Sequence, residues 1–595
     1  MMWLSVLPPL TVVGPLVIAG LLLIASRALP RPIPDIIALA TTALTFILCL
    51  LLVRHTGHQP LVYWFGGWVP RHGFPIGIGF VIDPIGALLA AFIGVLFFAT
   101  LVFAWGYYDE VHAHFHVLML LFMSGMIGFC FTHDVFNMFV WFELMSVAGF
   151  ALTGYQLRTS ALEGALNFTV TNAVGSYLFL AGIALIYSRV GALDFGALQR
   201  GVAAQPHDVV VISAFVLLTT ALLIKAAQVP FQAWLSDAHA VAPSPVSVIF
   251  SGAMVSIGIY GIAKLAWSVF APSAEIRHVI RVLLLAMGAF STVIGGVMAL
   301  LQRHLKRLLA FSTISHVGLL LIGVALWERR ALAGVFVYFI GHGLVKGALF
   351  MVTGILLALR GSIDEIELRG RGRGIWPAGV AMAAGGLLLA GLPVGLMSGG
   401  SDFIAAGANA LGQGWLLWIV MLGAGCTGAA VLRSSGRVFL GLGPVAGQER
   451  HSPTEEDKEK ADRPLWLMLV PTTALLVLSL VGTRFGSDVI SRATLRFMQP
   501  DNAMILDGAQ AIPAPALALR APPTSYTAWV SVALALAITV FSLLHHRLPR
   551  RASRYLQPIR PMLTSLRALH SGDVRQYVMW MAVGLAAFAL AFAVS

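Results

Sequence analysis

Along this 595-residue chain, apolar residues come in blocks long enough to cross a membrane, and polar residues collect in the gaps between them. A spanning helix needs ~20 predominantly apolar residues. On that template the pattern predicts about sixteen spans. They lie near 8–27, 35–53, 80–105, 115–132, 134–156, 164–188, 208–239, 243–270, 279–301, 306–326, 331–359, 375–411, 414–440, 464–483, 525–546 and 576–594. The seventh and twelfth are interrupted, at Pro230 and at Pro393 with its neighbouring glycines ("GLPVGLMSGGSD"), because proline removes a backbone donor and clashes with the preceding turn. Spans four to eight and nine to thirteen form two five-helix groups with the broken helix in the same ordinal place. An odd number of crossings makes the second group inverted relative to the first, and paired broken helices point to an ion site at mid-membrane.

The expected architecture is therefore an all-α polytopic membrane protein. Its parts are N-terminal helices over 1–79, a third span over 80–114, a first inverted repeat over 115–270 and a second over 277–440. A charged loop over 441–463 and C-terminal helices over 464–595 follow, with a basic interfacial segment at 547–575. Between the second and third spans lies a loop rich in Gly, Pro and Trp ("GHQPLVYWFGGWVPRHGFPIGIG"). Composition agrees: 58% of residues are hydrophobic and 11% charged, where a soluble domain carries roughly a quarter charged residues. The net charge of +12 sits mainly in loops, where anionic lipid and the positive-inside rule account for it, so nucleic acid is not an expected partner. The Arg- and Lys-rich loops fall on one side, which places that side in the cytoplasm and both termini outside. The N-terminus reads as the first span and not as a cleaved signal.

Cys49, Cys130 and Cys426 are far apart in apolar runs and offer no CxxC pair, so no metal or redox cofactor is expected. The pair His112 and His116 in "HAHFH" reads as surface histidines, and "GRGRG" near Arg371 reads as a basic turn. The chemistry lies in charges placed inside apolar runs. A lysine at the centre of a membrane helix costs about 2.5–3.5 kcal/mol on insertion scales, so its presence marks a function. Glu143 is the only charge in "FNMFVWFELMSVAGFALTG", and Lys225 closes an apolar run five residues before Pro230. A lysine taken out of water holds its proton less firmly, and a nearby carboxylate restores the hold. Glu143 and Lys225 thus read as a coupled proton pair, with Pro230 the break that admits water. His342 and Lys346 are four residues apart on one helix face and read as adjacent stations of a proton wire, with His316 a further candidate. Asp402 has two readings, an exit site or the N-cap of the half-helix after Pro393.

These residues lie in "FVIDPIGALLAAF", "FELMSVAGFALTGY", "IKAAQVPFQAWLSDAHAVAPSPVSVIFSGAMVSIGIYGIAKL", "HLKRLLAFSTISHVGLLLIGV" and "HGLVKGALFMVTG". Together they resemble the antiporter-like subunits of respiratory complex I, of Mrp-type cation/proton antiporters and of hydrogenase-4 and formate hydrogenlyase complexes. The resemblance runs from about Phe80 to Arg437. The C-terminal "RALHSGDVRQY" is similar to the chain-5-like and hydrogenase-4 component B-like branch, although about thirty residues leave no room for the long lateral helix of that branch. The resemblance implies two inverted five-helix repeats and a central polar axis carrying protons. Glu143 matches the fifth-helix glutamate, Lys225 the seventh-helix lysine, and His342 and Lys346 the eleventh-helix stations. Three positions depart from the pattern. Ser176 stands in the sixth helix where some members carry an acid, Ser251 and Ser256 stand in the eighth where a base is usual, and Asp402 stands near the usual Lys or Glu of the twelfth.

The expected function is a proton-translocating membrane subunit of a respiratory or hydrogenase-type complex in the inner membrane. Its partners would be other membrane subunits, protons or Na⁺, and anionic lipid, and the redox chemistry would lie elsewhere in the complex. The alternatives are an Mrp-type cation/proton antiporter subunit and a non-conducting membrane anchor.

Overall fold

A computed structural model describes residues 2–443 except 27–28, 31, 58–59, 72–76 and 109–111. It also describes 464–498, 526–544 and a few positions between 579 and 586. The basic segment 547–575, nearly all of the charged loop 441–463 and most of the last expected span therefore lie outside the described residues. Twelve described helices are long and apolar enough to cross a membrane, which makes the chain an integral membrane protein. The first four are α1 (Met2–Ala25), α2 (Ile33–Thr56), α3 (Pro84–Tyr107) and α4 (Ala113–Phe131). The chain is not purely helical: the Gly/Pro/Trp loop forms an antiparallel hairpin of β1 (Leu61–Trp64) and β2 (Gly79–Ile82). Alternate aromatic and β-branched residues suit a pleated edge, a signal that the apolar template for spans does not test.

The first group continues with α5 (Val135–Thr153), α6 (Thr159–Val190) and the short α7 (Phe195–Ala204). The interrupted seventh span is two helices, α8 (Val209–Lys225) and α9 (Ala233–Val241). Lys225 is the last residue of α8, and Ala227 follows in the left-handed region at φ 51°. The next span, Ser244–Phe270, comprises α10 (Ser244–Ile249), a π-helical turn at Phe250–Met254, α11 (Val255–Leu265) and a second π turn at Ala266–Phe270. Such turns occur often at functional sites.

The second group holds α12 (Ala274–Leu301), α13 (Leu305–Ala325) and α14 (Arg329–Arg360). The broken span follows as α15 (Trp376–Leu389) and α16 (Gly395–Ala410), with Pro393 between them, and α17 (Leu416–Leu440) ends the group. Two more helices, α18 (Trp466–Phe497) and α19 (Tyr526–Leu544), pack outside. The α10–α11 span and α13 are wholly enclosed by protein, and α14 nearly so. By contrast, α1, α2 and α19 turn exposed Leu, Ile and Val outward, as lipid-facing helices do.

One joint occurs twice, 170 positions apart. The N-cap of α5, Asp134, bridges Asp194 beyond the end of α6; the N-cap of α13, His304, bridges Asp364 beyond the end of α14. The backbone bonds correspond: Val135 N–H to Leu193 (2.9 Å) and Phe195 N–H to His133 (3.0 Å) match Leu305 N–H to Ile363 (2.9 Å) and Glu365 N–H to Arg303 (3.1 Å). Both α6 and α14 have 32 residues. Each stops at a glycine in the left-handed conformation, Gly191 and Gly361, where a side chain would be strained.

Beside the second joint, the buried Glu365 receives Arg433 (3.1 Å) and Arg437, and the Ser434 hydroxyl donates to it (2.5 Å). Arg433 also donates to the Gln302 carbonyl (2.8 Å), so the latch ties α12, α14 and α17 together. Replacing Glu365 by Ala leaves two guanidinium groups without their carboxylate. The expected loss is about 3–5 kcal/mol, the range for breaking one side of a buried pair, read as a lower melting midpoint in detergent. The first joint gives a pH dependence. Burial pushes the Asp194 carboxyl up to about 6, although the N–H groups of Ala197 and Gly196 pull it back. The folded chain then keeps a proton that the unfolded chain releases, so stability falls as pH rises from about 4 to about 6. Asp194→Asn retains the cap and removes this slope, measured as melting midpoints across that range.

Candidate functional site

The break after α8 decides where Lys225 points. Its ammonium is buried, donates to the Ser146 hydroxyl on α5 (2.5 Å) and lies 4.4 Å from the centre of the Phe142 ring. The Ser146 hydroxyl in turn donates to the Phe142 carbonyl (2.7 Å). One turn earlier on α5 is Glu143, half-buried, which accepts the Ser176 hydroxyl of α6. Glu143 and Lys225 thus meet one helix turn apart on α5, through serines and without a direct ion pair. Part of the backbone freed by the break is already engaged: the Trp234 indole donates to the Ile224 carbonyl (3.0 Å), and the Ser291 hydroxyl accepts the Val229 N–H (2.9 Å).

A second cluster lies between α13 and α14. His316 Nδ1 is 2.6 Å from the Tyr338 hydroxyl, and its Nε2 is 2.9 Å from the Thr427 hydroxyl. The His342 ring lies 5.4 Å from the His316 ring, and neither of its nitrogens has a hydrogen-bond partner among the described residues. Lys346, one turn on, donates to the Leu309 carbonyl (2.6 Å) and to the Ser312 hydroxyl. The Thr313 hydroxyl donates to the same carbonyl (2.9 Å) and also meets Ser251 (2.6 Å). The structure therefore brings His316, His342 and Lys346 together and ties Ser251 to them. Ser256 is buried, with no hydrogen-bond partner for its hydroxyl among the described residues.

Between the two clusters stands a residue that the sequence reading passed over. His239 on α9 is fully buried, stacks on Phe350 (4.6 Å, 14°) and has no hydrogen-bond partner for either nitrogen among the described residues. A file of rings joins the lysines through it. Lys225 is 5.9 Å from Phe168, Phe168 is 5.5 Å from Phe250, and Phe250 is 5.9 Å from His239. Beyond His239, Phe350 is 5.8 Å from Lys346. The signal was present: His239 follows the break in "WLSDAHA", but only the fold brings α9 against α14. Two further buried lysines were also missed. Lys306 donates to the Ala242 carbonyl (2.7 Å), and Lys264 donates to the Cys130 carbonyl (2.7 Å), which the Tyr260 hydroxyl shares (3.0 Å). Asp83, the N-cap of α3, is electrostatically coupled to Lys264.

Two expectations need correction. Asp402 stands two turns inside α16, whose N-cap is Val394, so the capping reading fails. His116 is buried inside α4 and its Nε2 lies 2.7 Å from Asp35 of α2, whereas His112 is exposed. The reading as surface histidines holds for His112 only, because α4 begins at Ala113 and turns His116 toward α2.

The transmembrane family described as NADH:quinone oxidoreductase/Mrp antiporter matches residues 132–427, the stretch that holds every one of these clusters except Asp83 and Cys130. The chain belongs to this antiporter-like family. It is 29% identical over 445 residues to NADH-quinone oxidoreductase subunit N of Desulforudis audaxviator, covering 73% of this chain and 87% of that one. It is 30% identical over 324 residues to the putative antiporter subunit mnhD2 of Staphylococcus aureus, covering 54% and 63%. Two solved structures share the fold. A chain of the membrane-bound sulfane sulfur reductase, an archaeal respiratory membrane complex, superposes with a TM-score of 0.73 at 24% identity, covering 84% of this chain and 99% of that one. A chain of the Mrp complex from Dietzia sp. gives 0.74 at 24%, covering 85% and 100%. This antiporter-like chain is thus similar to subunits of multi-subunit membrane complexes.

Proposed function

We propose that this antiporter-like subunit carries protons along a buried series from Glu143 and Lys225, through His239, to Lys346, His342 and His316, with Asp402 as the exit. The observation that carries the reading is Lys225 itself, an enclosed ammonium at a helix break whose near partner is a hydroxyl, within reach of Glu143 by one turn of α5. A partner subunit that moves or neutralises Glu143 changes the field at Lys225 and loosens its proton. His239 takes the place of the base expected on the eighth span, where Ser251 and Ser256 stand. The recurrence of the α5–α6 joint in α13–α14 supports two groups of common plan. Five crossings separate the two joints, which places them at opposite membrane faces, as an inverted relation requires. The end holding Arg303, Arg360, Arg371, Arg433 and Arg437 is the cytoplasmic one by the positive-inside rule, and both termini then lie outside, in the inner membrane.

The subunit would act inside a larger complex whose other members supply the driving force. A second reading is supported by the Mrp relatives: a cation gradient, in place of a redox partner, drives the same residues. The two differ in whether an imposed Na⁺ gradient alone moves protons in vesicles containing the purified complex. For either, Lys225→Ala is expected to cut proton movement at least tenfold in assembled complex. His239→Phe, which keeps the ring stack and removes the nitrogens, is expected to do the same. Acidification measured with a pH-sensitive dye that stays at the wild-type rate in Lys225→Ala sinks the proposal.

A further inference from the structure

The cavity at Asp402 has a chemistry that proton transfer alone does not require. It measures about 30 Å³, the share of liquid volume of one water molecule. Its polar lining comes from two helices. Ser398, Ser401 and Asp402 stand at one helical face of α16, and Thr527 and Ser531, four residues apart, stand at one face of α19. Gly391, at φ 90° in the break after α15, closes a third side, and Val420, Met421 and Ala424 of α17 form an apolar wall. The Ser531 hydroxyl is fixed by the Met421 carbonyl (3.2 Å), which aligns α19 on α17. The α19 residues lie beyond the stretch that matches the family, so two of the five side-chain oxygens come from outside it.

We infer that this cavity is a binding site for one small monovalent cation of the Na⁺ type. Every side-chain donor is oxygen, which excludes the nitrogen and sulfur preference of zinc and copper and matches a hard cation. A single carboxylate among four hydroxyls balances one positive charge, whereas Ca²⁺ sites gather several carboxylates and carbonyls. The volume holds one ion or one water. The C-terminal end of α15, beside Gly391, turns the negative pole of its dipole toward the cavity, which favours a cation. Broken helices in membrane transporters coordinate Na⁺ by this combination of carboxylate, hydroxyl and helix end. Binding here does not depend on Lys225, so the inference goes beyond the proton reading and fails independently of it.

The test uses the whole complex purified in mild detergent, with Na⁺ itself as the probe. Retained ²²Na⁺ and the melting midpoint in NaCl are compared with choline chloride at equal ionic strength. Wild type is expected to retain ²²Na⁺ and to melt higher in NaCl. Asp402→Asn, and separately Ser531→Ala with Thr527→Val, are expected to lower apparent Na⁺ affinity at least tenfold, while Lys225→Ala leaves it unchanged. The Asn and Ala changes are near-isosteric and keep α16 and α19 packed, and the α19 double variant stands if Asp402→Asn fails to assemble. Absence of ²²Na⁺ retention by wild type, or retention by both variants at wild-type affinity, overturns the site. Loss of proton movement in Lys225→Ala with Na⁺ retention intact leaves both readings standing.

Discussion

A cation enclosed by protein in a membrane must be held by something, and what holds it decides whether its proton can move. In this chain the near partners of Lys225 and Lys346 are hydroxyl and carbonyl oxygens. A neutral dipole satisfies a donor without the deep well that a touching carboxylate makes. The contrast is Glu365, which meets Arg433 and Arg437 directly and fixes three elements in place. The same bundle thus contains charges arranged to stay and charges arranged to exchange. They differ in partner type more than in depth, since Glu365 is as buried as the lysines.

The scaffold serves that arrangement. The helix break puts Lys225 at the end of α8, where its side chain reaches α5, and starts α9 at an angle that carries His239 toward α14. The enclosed α10–α11 span, α13 and α14 exclude lipid from the region between the lysines. Aromatic rings fill the space between them, so the file from Phe168 to Phe350 spaces the polar groups and leaves His239 as the titratable stop along it.

The spans were legible because each apolar block has the length that a membrane demands, and the breaks because Pro230 and Pro393 interrupt such blocks. The candidate residues were legible for the same reason: a charge in an apolar run stands out. Which way each side chain faces was not legible. A helix that is apolar all round, as α13 and α14 are, carries no stripe to orient it. The partner of Lys225 looked like Glu143 because both are charged, whereas the geometry interposes Ser146, a residue with no signal of its own. His239 and Glu365 depend on contacts between elements more than 60 residues apart. The β-hairpin before α3 was hidden in a segment whose Gly and Pro content read as loop.

The recurrence of the α5–α6 joint in α13–α14 adds a last step. At the shared spacing of 170 residues, Ser146, Asn172 and Ser176 of the first group fall at the positions of His316, His342 and Lys346 in the second, and Glu143 falls at Thr313. The backbone plan recurs, but the titratable inventory does not. In the first group the unbroken helices α5 and α6 supply the acid and the hydroxyls, and the bases Lys225 and His239 come from the broken span. In the second group the unbroken helices α13 and α14 supply the bases, and the acid, Asp402, comes from the broken span. An acid and its bases therefore sit on different elements in both halves. Any relative motion of a broken span against its unbroken neighbours alters the field between them, which a duplicated set of identical charges on one helix would not allow.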